Sequence, residues 1–268
     1  MTSYRKRRLE PFVQRLRRIE RLFRGGHVKQ QRVYRVHIGE RDLKQIVFSD
    51  AAQAERTAAR LDALADTGLL PRRIARYANE LWVDYLEGSA LDPAGPAPVQ
   101  ELAALFAAFY VRAPVPIADD AIRLRAEALQ QLQLLRDVGV VDAATLRGVE
   151  ARCLTSPLPA LWHGYDYLDA RPENFLRDAS GRLRILDVES VADGEVIGTG
   201  AARAWLRWPG VEREALLRGI AQAGGPDLAP AAAFLELRFA AGWTLRSLLM
   251  RKRRLVEPAL FRRLAAGS

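Results

Sequence analysis

The stretch Tyr167-Leu168-Asp169-Ala170-Arg171-Pro172-Glu173-Asn174-Phe175-Leu176 sets an acid, a guanidinium and an amide on one short loop. Leu183-Arg184-Ile185-Leu186-Asp187 then brings a second acid to the end of an apolar run. Asn174 follows Asp169 by five residues and Asp187 follows Asn174 by thirteen. Phosphoryl transfer from a metal-bound nucleotide uses these groups. One carboxylate orients and deprotonates a hydroxyl, one cation meets the moving charge, and an amide with a carboxylate holds the metal. Pro172 stiffens the loop, and a buried Leu183–Leu186 strand would deliver Asp187 into a cleft. Taken singly, Asp169 and Asn174 read as turn residues and Asp187 as a strand-end cap. The two intervals together carry the chemical reading.

This arrangement resembles the protein-kinase-like superfamily, in particular its aminoglycoside phosphotransferase and choline kinase branch, with a further likeness to lipopolysaccharide kinases. The resemblance spans roughly residues 24 to 190 and fades in the C-terminal helices. Its strongest part is the loop, which compares with H-R-D-x-x-x-x-N. The resemblance implies that Asp169 is the catalytic base, that Arg171 faces the transferring phosphate, and that Asn174 and Asp187 hold magnesium on ATP. Tyr167 and Leu168 depart from the usual His-Arg or His-Gly, and Asp187-Val188-Glu189 lacks the glycine of D-F-G. His163-Gly164 looks like the family's His-Gly pair displaced upstream; its role is not carried over.

The same resemblance implies a nucleotide site in the preceding segment. Lys44 is the candidate for the lysine on the α- and β-phosphates, with Glu55 as its partner; a shifted alignment would put Ile46 in that place and impair nucleotide handling, and Lys29 is a weaker substitute. A buried ammonium needs a counter-charge to stay protonated. Gly25-Gly26 resembles the glycine loop over the phosphates, although paired glycines also end helices. Leu81–Leu86 resembles the hinge: Val83 would line the adenine pocket while the Asp84 carbonyl and Leu86 amide bond the base.

The elements that must position these groups follow from hydrophobic spacing. Leu9, Phe12, Val13, Leu16, Ile19, Leu22 and Phe23 predict an amphipathic helix over residues 7–24 with a basic face. That helix would either pack on the domain or rest on an anionic membrane surface. Strands are predicted over residues 28–37, 42–48, 73–77 and 80–86. A helix capped by Ser49-Asp50 runs through Ala65. Further helices are predicted around residues 102–110, over 118–137 and 143–154, and again from Thr199 onward. The result is an α+β, two-lobed kinase-like fold: residues 1–24 a basic helix, 25–87 a strand-rich nucleotide-binding lobe, 88–268 a helical lobe.

Composition narrows the remaining classes. The 268 residues, 49% hydrophobic and 27% charged, suit a globular enzyme. No apolar run is long enough to cross a bilayer, and the expected location is cytoplasmic, or peripheral to the inner membrane face. One cysteine permits no intrachain disulfide, and with three histidines it argues against structural zinc. The net charge of +9 comes with only four lysines among 41 basic residues, so arginine is the general currency here. There is no basic stripe interleaved with aromatics, which argues against nucleic acid as a partner. The expected partners are ATP and a hydroxyl-bearing small-molecule, sugar or lipid-linked sugar acceptor. The rival readings are an atypical protein kinase and a pseudokinase or nucleic-acid-binding module on the same fold.

Overall fold

The structure is a computed structural model that describes residues 4–8, 32–117, 121–155, 157–252 and 256–267. The chain divides into two compact units, Met1–Pro93 with Pro172–Val191, and Ala94–Arg171 with Ala192–Ser268. Hence the sequence leaves the second unit at Pro172 and returns after Val191.

The first unit is built on a five-stranded antiparallel sheet of β1 (Tyr4–Arg8), β2 (Arg32–Ile38), β3 (Arg41–Val47), β4 (Arg73–Tyr77) and β5 (Glu80–Asp84). Their spatial order is β1-β2-β3-β5-β4. Period-two patterning fixes the register: Leu81 and Val83 are fully buried while Glu80, Trp82 and Asp84 keep partial exposure. Lys44 lies opposite Val83 on one side and opposite Arg35 on the other. Helix α1 (Ala51–Ala63) packs on β4 and β5. It starts where expected, the Asp50 carboxylate accepting the Gln53 amide at 2.7 Å. Ala54, Thr57, Ala58 and Leu61 form its buried stripe.

A second, three-stranded sheet in this unit joins β6 (Ser89–Ala90), β9 (Phe175–Arg177) and β10 (Leu183–Ile185) in the order β10-β9-β6. Gly88 is required beside it, because a Cβ there would lie 2.0 Å from the Arg177 carbonyl oxygen. Phe175 and Ile185, both fully buried, face each other across the β9–β10 hairpin.

In the second unit β7 (Val115–Pro116) and β8 (Trp162–Tyr167) form a small sheet with β11 (Val191–Val196), ordered β11-β8-β7. The rest is helical: α2 (Val99–Tyr110), α3 (Ala121–Asp137), α4 (Ala143–Cys153), α5 (Thr199–Arg207), α6 (Arg213–Gln222), α7 (Ala232–Leu249) and α8 (Pro258–Ala266). The core gathers Phe106, Phe109, Tyr110, Leu132, Leu135, Phe234, Leu235 and Phe261, each worth roughly 1.5–3 kcal/mol of transfer free energy. Cys153 is buried and free, and burial pushes its thiol up to about 12.

One expectation about the N-terminus is corrected. Arg7 and Arg8, assigned by spacing to the start of a helix, belong to β1, which pairs antiparallel with β2. The remainder of the predicted basic helix, the Gly25-Gly26 pair and Lys29 lie outside the described residues. No helix among the described residues is long and apolar enough to cross a membrane.

Candidate active site

In the first unit the β9–β10 hairpin brings Asn174 and Asp187 to one end. Asn174 closes a 3-10 turn, Pro172–Asn174, and is buried. Its carbonyl accepts the Leu186 amide at 2.8 Å, continuing the hairpin ladder up to the residue before Asp187. The Asp187 carboxylate accepts the Ser190 hydroxyl at 3.0 Å from the short turn Val188–Ser190. The turn is anchored further on by α1, where Arg60 donates to the Val191 carbonyl at 3.1 Å.

Lys44 reaches the same end from β3. Its ammonium donates to the Leu186 carbonyl at 2.6 Å. The expected ion pair with Glu55 is not formed, and Glu55 lies exposed on α1. The reason is helical phase. The buried stripe runs through Ala54, Thr57, Ala58 and Leu61, and the residue after Ala54 is turned about 100° away from it by the 3.6-residue repeat. Among the described residues the polar tie from α1 to this loop is Arg60, not Glu55.

The donors at this end are oxygens, a carboxylate and an amide, which suits a hard divalent cation. No group of three or more His, Cys, Asp or Glu that could hold a metal occurs among the described residues. Magnesium commonly takes only one or two protein carboxylates and completes its shell from phosphates and water, so Asn174 and Asp187 fit that role.

The hinge-like segment is the end of β5, which lies between β3 and β4 in the sheet. The Asp84 amide donates to Arg72 and the Tyr85 amide to Asp42, at 2.9 and 3.3 Å. Val83 is buried in the sheet. The Asp84 carboxylate pairs with Arg41 and Arg72 at 3.3 and 3.2 Å. Leu86 lines an open cavity of about 610 Å³ with Glu40, Asp42, Glu87 and the β9–β10 turn. In that turn the Asp178 carboxyl is held down to about 2 by the Ser180 hydroxyl and then by Arg184.

In the second unit Asp169 follows β8. Both of its oxygens meet guanidinium groups: Arg203 of α5 lies 2.5 Å from Oδ1 and Arg171 lies 3.2 Å from Oδ2. Arg203 is 9% exposed. Burial lowers its pKa and Asp169 acts in the opposite sense. The Arg203 guanidinium carbon also sits 4.8 Å from the Trp243 ring centre and 5.6 Å from that of Phe239.

The loop holding Asp169 is secured from beneath by Asp166, which is fully buried. Its Oδ1 accepts the Tyr110 hydroxyl at 3.0 Å and the Tyr167 amide at 2.8 Å, and its Oδ2 accepts the Gly200 amide at 2.8 Å. Burial pushes this carboxyl up to about 7, outweighing the three donors. Only glycine allows the start of α5 this close, since a Cβ at Gly200 would lie 2.1 Å from the Tyr167 carbonyl oxygen.

Asp166 and Arg203 escaped sequence reasoning. An acid inside the strand Trp162–Tyr167 and an arginine inside the alanine-rich α5 were the available signals. The tryptophans separate as well: Trp208 is core, Trp205 donates to Glu236 at 2.9 Å, and Trp243 supports Arg203.

No family model matches the sequence, and no curated protein does. Solved structures do. A macrolide 2'-phosphotransferase from Brachybacterium faecium superposes with a TM-score of 0.60 at 18% identity, over 88% of this chain and 87% of that one. The choline kinase of Streptococcus pneumoniae gives 0.59 at 17% identity, over 96% and 98%. An aminoglycoside phosphotransferase in ternary complex with AMP-PNP and hygromycin B gives 0.60 at 14% identity, over 90% of each chain. These neighbours belong to the aminoglycoside phosphotransferase and choline kinase branch of the protein-kinase-like superfamily, and this chain has their fold.

Proposed function

We propose that this protein is an ATP- and magnesium-dependent phosphotransferase that moves the γ-phosphate to a hydroxyl of a small-molecule or sugar acceptor. One observation carries the reading: the ammonium of Lys44 bonds the carbonyl next to Asp187. It brings the one lysine of the strand β3 to the backbone beside the acid expected to hold metal, and phosphoryl transfer uses both charges at a nucleotide. The fold shared with nucleotide-using phosphotransferases supports the same conclusion.

In this account Lys44 meets the α- and β-phosphates, and the backbone at Asp84 and Leu86 meets the base beside Val83. Asn174 and Asp187 hold magnesium, which when bound neutralises charge on the phosphate oxygens. Asp169 orients the acceptor hydroxyl and takes its proton. The hydroxyl oxygen forms a bond to the γ-phosphorus as the bond to the bridging oxygen breaks and its electrons leave with ADP. Arg171 offsets the charge developing on the transferred group. Glu55 has no part in the nucleotide site.

Phosphorus NMR of the protein with ATP, magnesium and a panel of hydroxylated compounds tests this. Formation of ADP together with a new phosphate monoester is the expected result. Consumption of ATP only to inorganic phosphate, or no consumption with any acceptor, counts against it.

A further inference from the structure

The surroundings of Asp169 carry more positive charge than a general base requires. Arg203 and Arg171 each hold one of its oxygens. Arg207, one turn beyond Arg203 on α5, adds a third guanidinium; Arg171 and Arg207 both depress the Arg203 pKa, after burial as the largest cause. The aromatic pair Phe239 and Trp243, stacked with ring centres 6.1 Å apart on α7, lies under both α5 arginines. The Arg207 guanidinium carbon is 5.5 Å from the Trp243 ring centre. Arg207 also reaches Glu257 at 2.5 Å, with 22% of its side chain exposed.

Three guanidinium groups beside two carboxylates, Asp169 and Glu257, leave positive charge in excess, and water screens it little where the centre of the cluster is buried. Besides the excess charge, the cluster has donors to spare. Arg203 Nε, Arg207 Nε and Trp243 Nε1 are buried with no hydrogen-bond partner among the described residues. Folded chains seldom leave such groups unsatisfied without a reason. A ligand bringing negative charge and acceptor oxygens would relieve both defects.

We propose that Arg203 and Arg207 with Trp243 form an anion subsite for the acceptor, so that the substrate is a hydroxylated small molecule bearing a carboxylate or phosphate. This rests on Asp169 being the base of the proposed transfer. The subsite lies entirely within the second unit. Arg171, in its role on the transferring phosphate, leaves Asp169 Oδ2 free to receive the hydroxyl proton. An acceptor whose only charge is an ammonium meets like charge at the same place.

Steady-state kinetics with saturating ATP and magnesium on matched hexoses, hexosamines, sugar acids and sugar phosphates provide the test. The acids or phosphates should show a KM about tenfold below that of their neutral parent, as expected for one charge-assisted contact. The comparison between the two arms tells carboxylate from phosphate. Arg207→Gln should raise KM for the anionic compounds by about tenfold and leave the neutral parent within about twofold, while Arg207→Lys retains most of the preference. Preference for the neutral or amino compounds, or an equal rise in KM for all compounds in Arg207→Gln, overturns the proposal. Calorimetry separates this from failure of the kinase reading. Should ATP prove not to be a substrate, the sugar acids or phosphates must still bind in a salt-sensitive way that Arg207→Gln weakens by about tenfold. Absence of that binding also overturns the subsite.

Discussion

The ammonium of Lys44 and the carbonyl of Leu186 are 2.6 Å apart although 142 residues separate them in sequence. The contact couples the third strand of the sheet to the residue before Asp187. Replacing Lys44 by Met keeps the aliphatic bulk and removes the charge. A hydrogen bond to a charged group contributes about 1.5–3 kcal/mol, so Lys44→Met should lower kcat/KM roughly ten- to hundredfold. Kinetics with circular dichroism on the same sample checks that the protein remains folded.

Glu55 provides the contrast. It is exposed and makes no ion pair with Lys44, so Glu55→Gln should leave ATP affinity unaltered and stability within about 0.5 kcal/mol. A loss of nucleotide binding comparable to that of Lys44→Met would restore the pairing that the sequence suggested.

Asp169→Asn should cut turnover by about 10²–10⁴, the usual range for removing a general base, with nucleotide affinity little changed. It also strips the counter-charge from Arg203. Removing one partner of a buried pair is destabilising by about 3–5 kcal/mol, and the partial exposure of Asp169, 23% of its side chain, places the effect below that range. A double-mutant cycle with Arg203→Met should show coupling of opposite sign to the single losses. Denaturation midpoints of the four proteins measure it; additive losses would mean the pair is not energetically linked.

Asp166 governs pH dependence. Burial raises its carboxyl to about 7, above the unfolded value of about 4. Between these values the native state keeps a proton that the unfolded chain has lost. Its contribution to stability therefore falls as pH rises from about 4 to about 7 and levels off above that. Asp166→Asn should flatten that slope while lowering stability overall, because an amide cannot accept all three donors. Urea midpoints across this window for both proteins check it, and parallel slopes would contradict it.

How much the sequence disclosed depended on whether the information was local. The Asp50 cap, the alternation at Leu81 and Val83, and the buried strand before Asp187 are short-range patterns, and the elements formed as spacing predicts. The intervals from Asp169 to Asn174 and Asp187 are likewise local and are read without the fold. Glu55 misled because a one-residue change of phase on α1 moves a side chain from the sheet to solvent. Arg203 could not be recognised among so many arginines, since what distinguishes it is a neighbour across the fold, Asp169, and an aromatic shelf on α7. Asp166 similarly acquires its role only when the start of α5 arrives beside Tyr167.

The central claim concerns a nucleotide held through a divalent cation at Asp187. Titration calorimetry of ATP into the protein, with magnesium or with EDTA, and into Asp187→Ala, measures it directly. The account predicts binding that requires magnesium and disappears in the variant. Equal affinity in all three conditions, or no ATP binding by the unaltered protein, would contradict it.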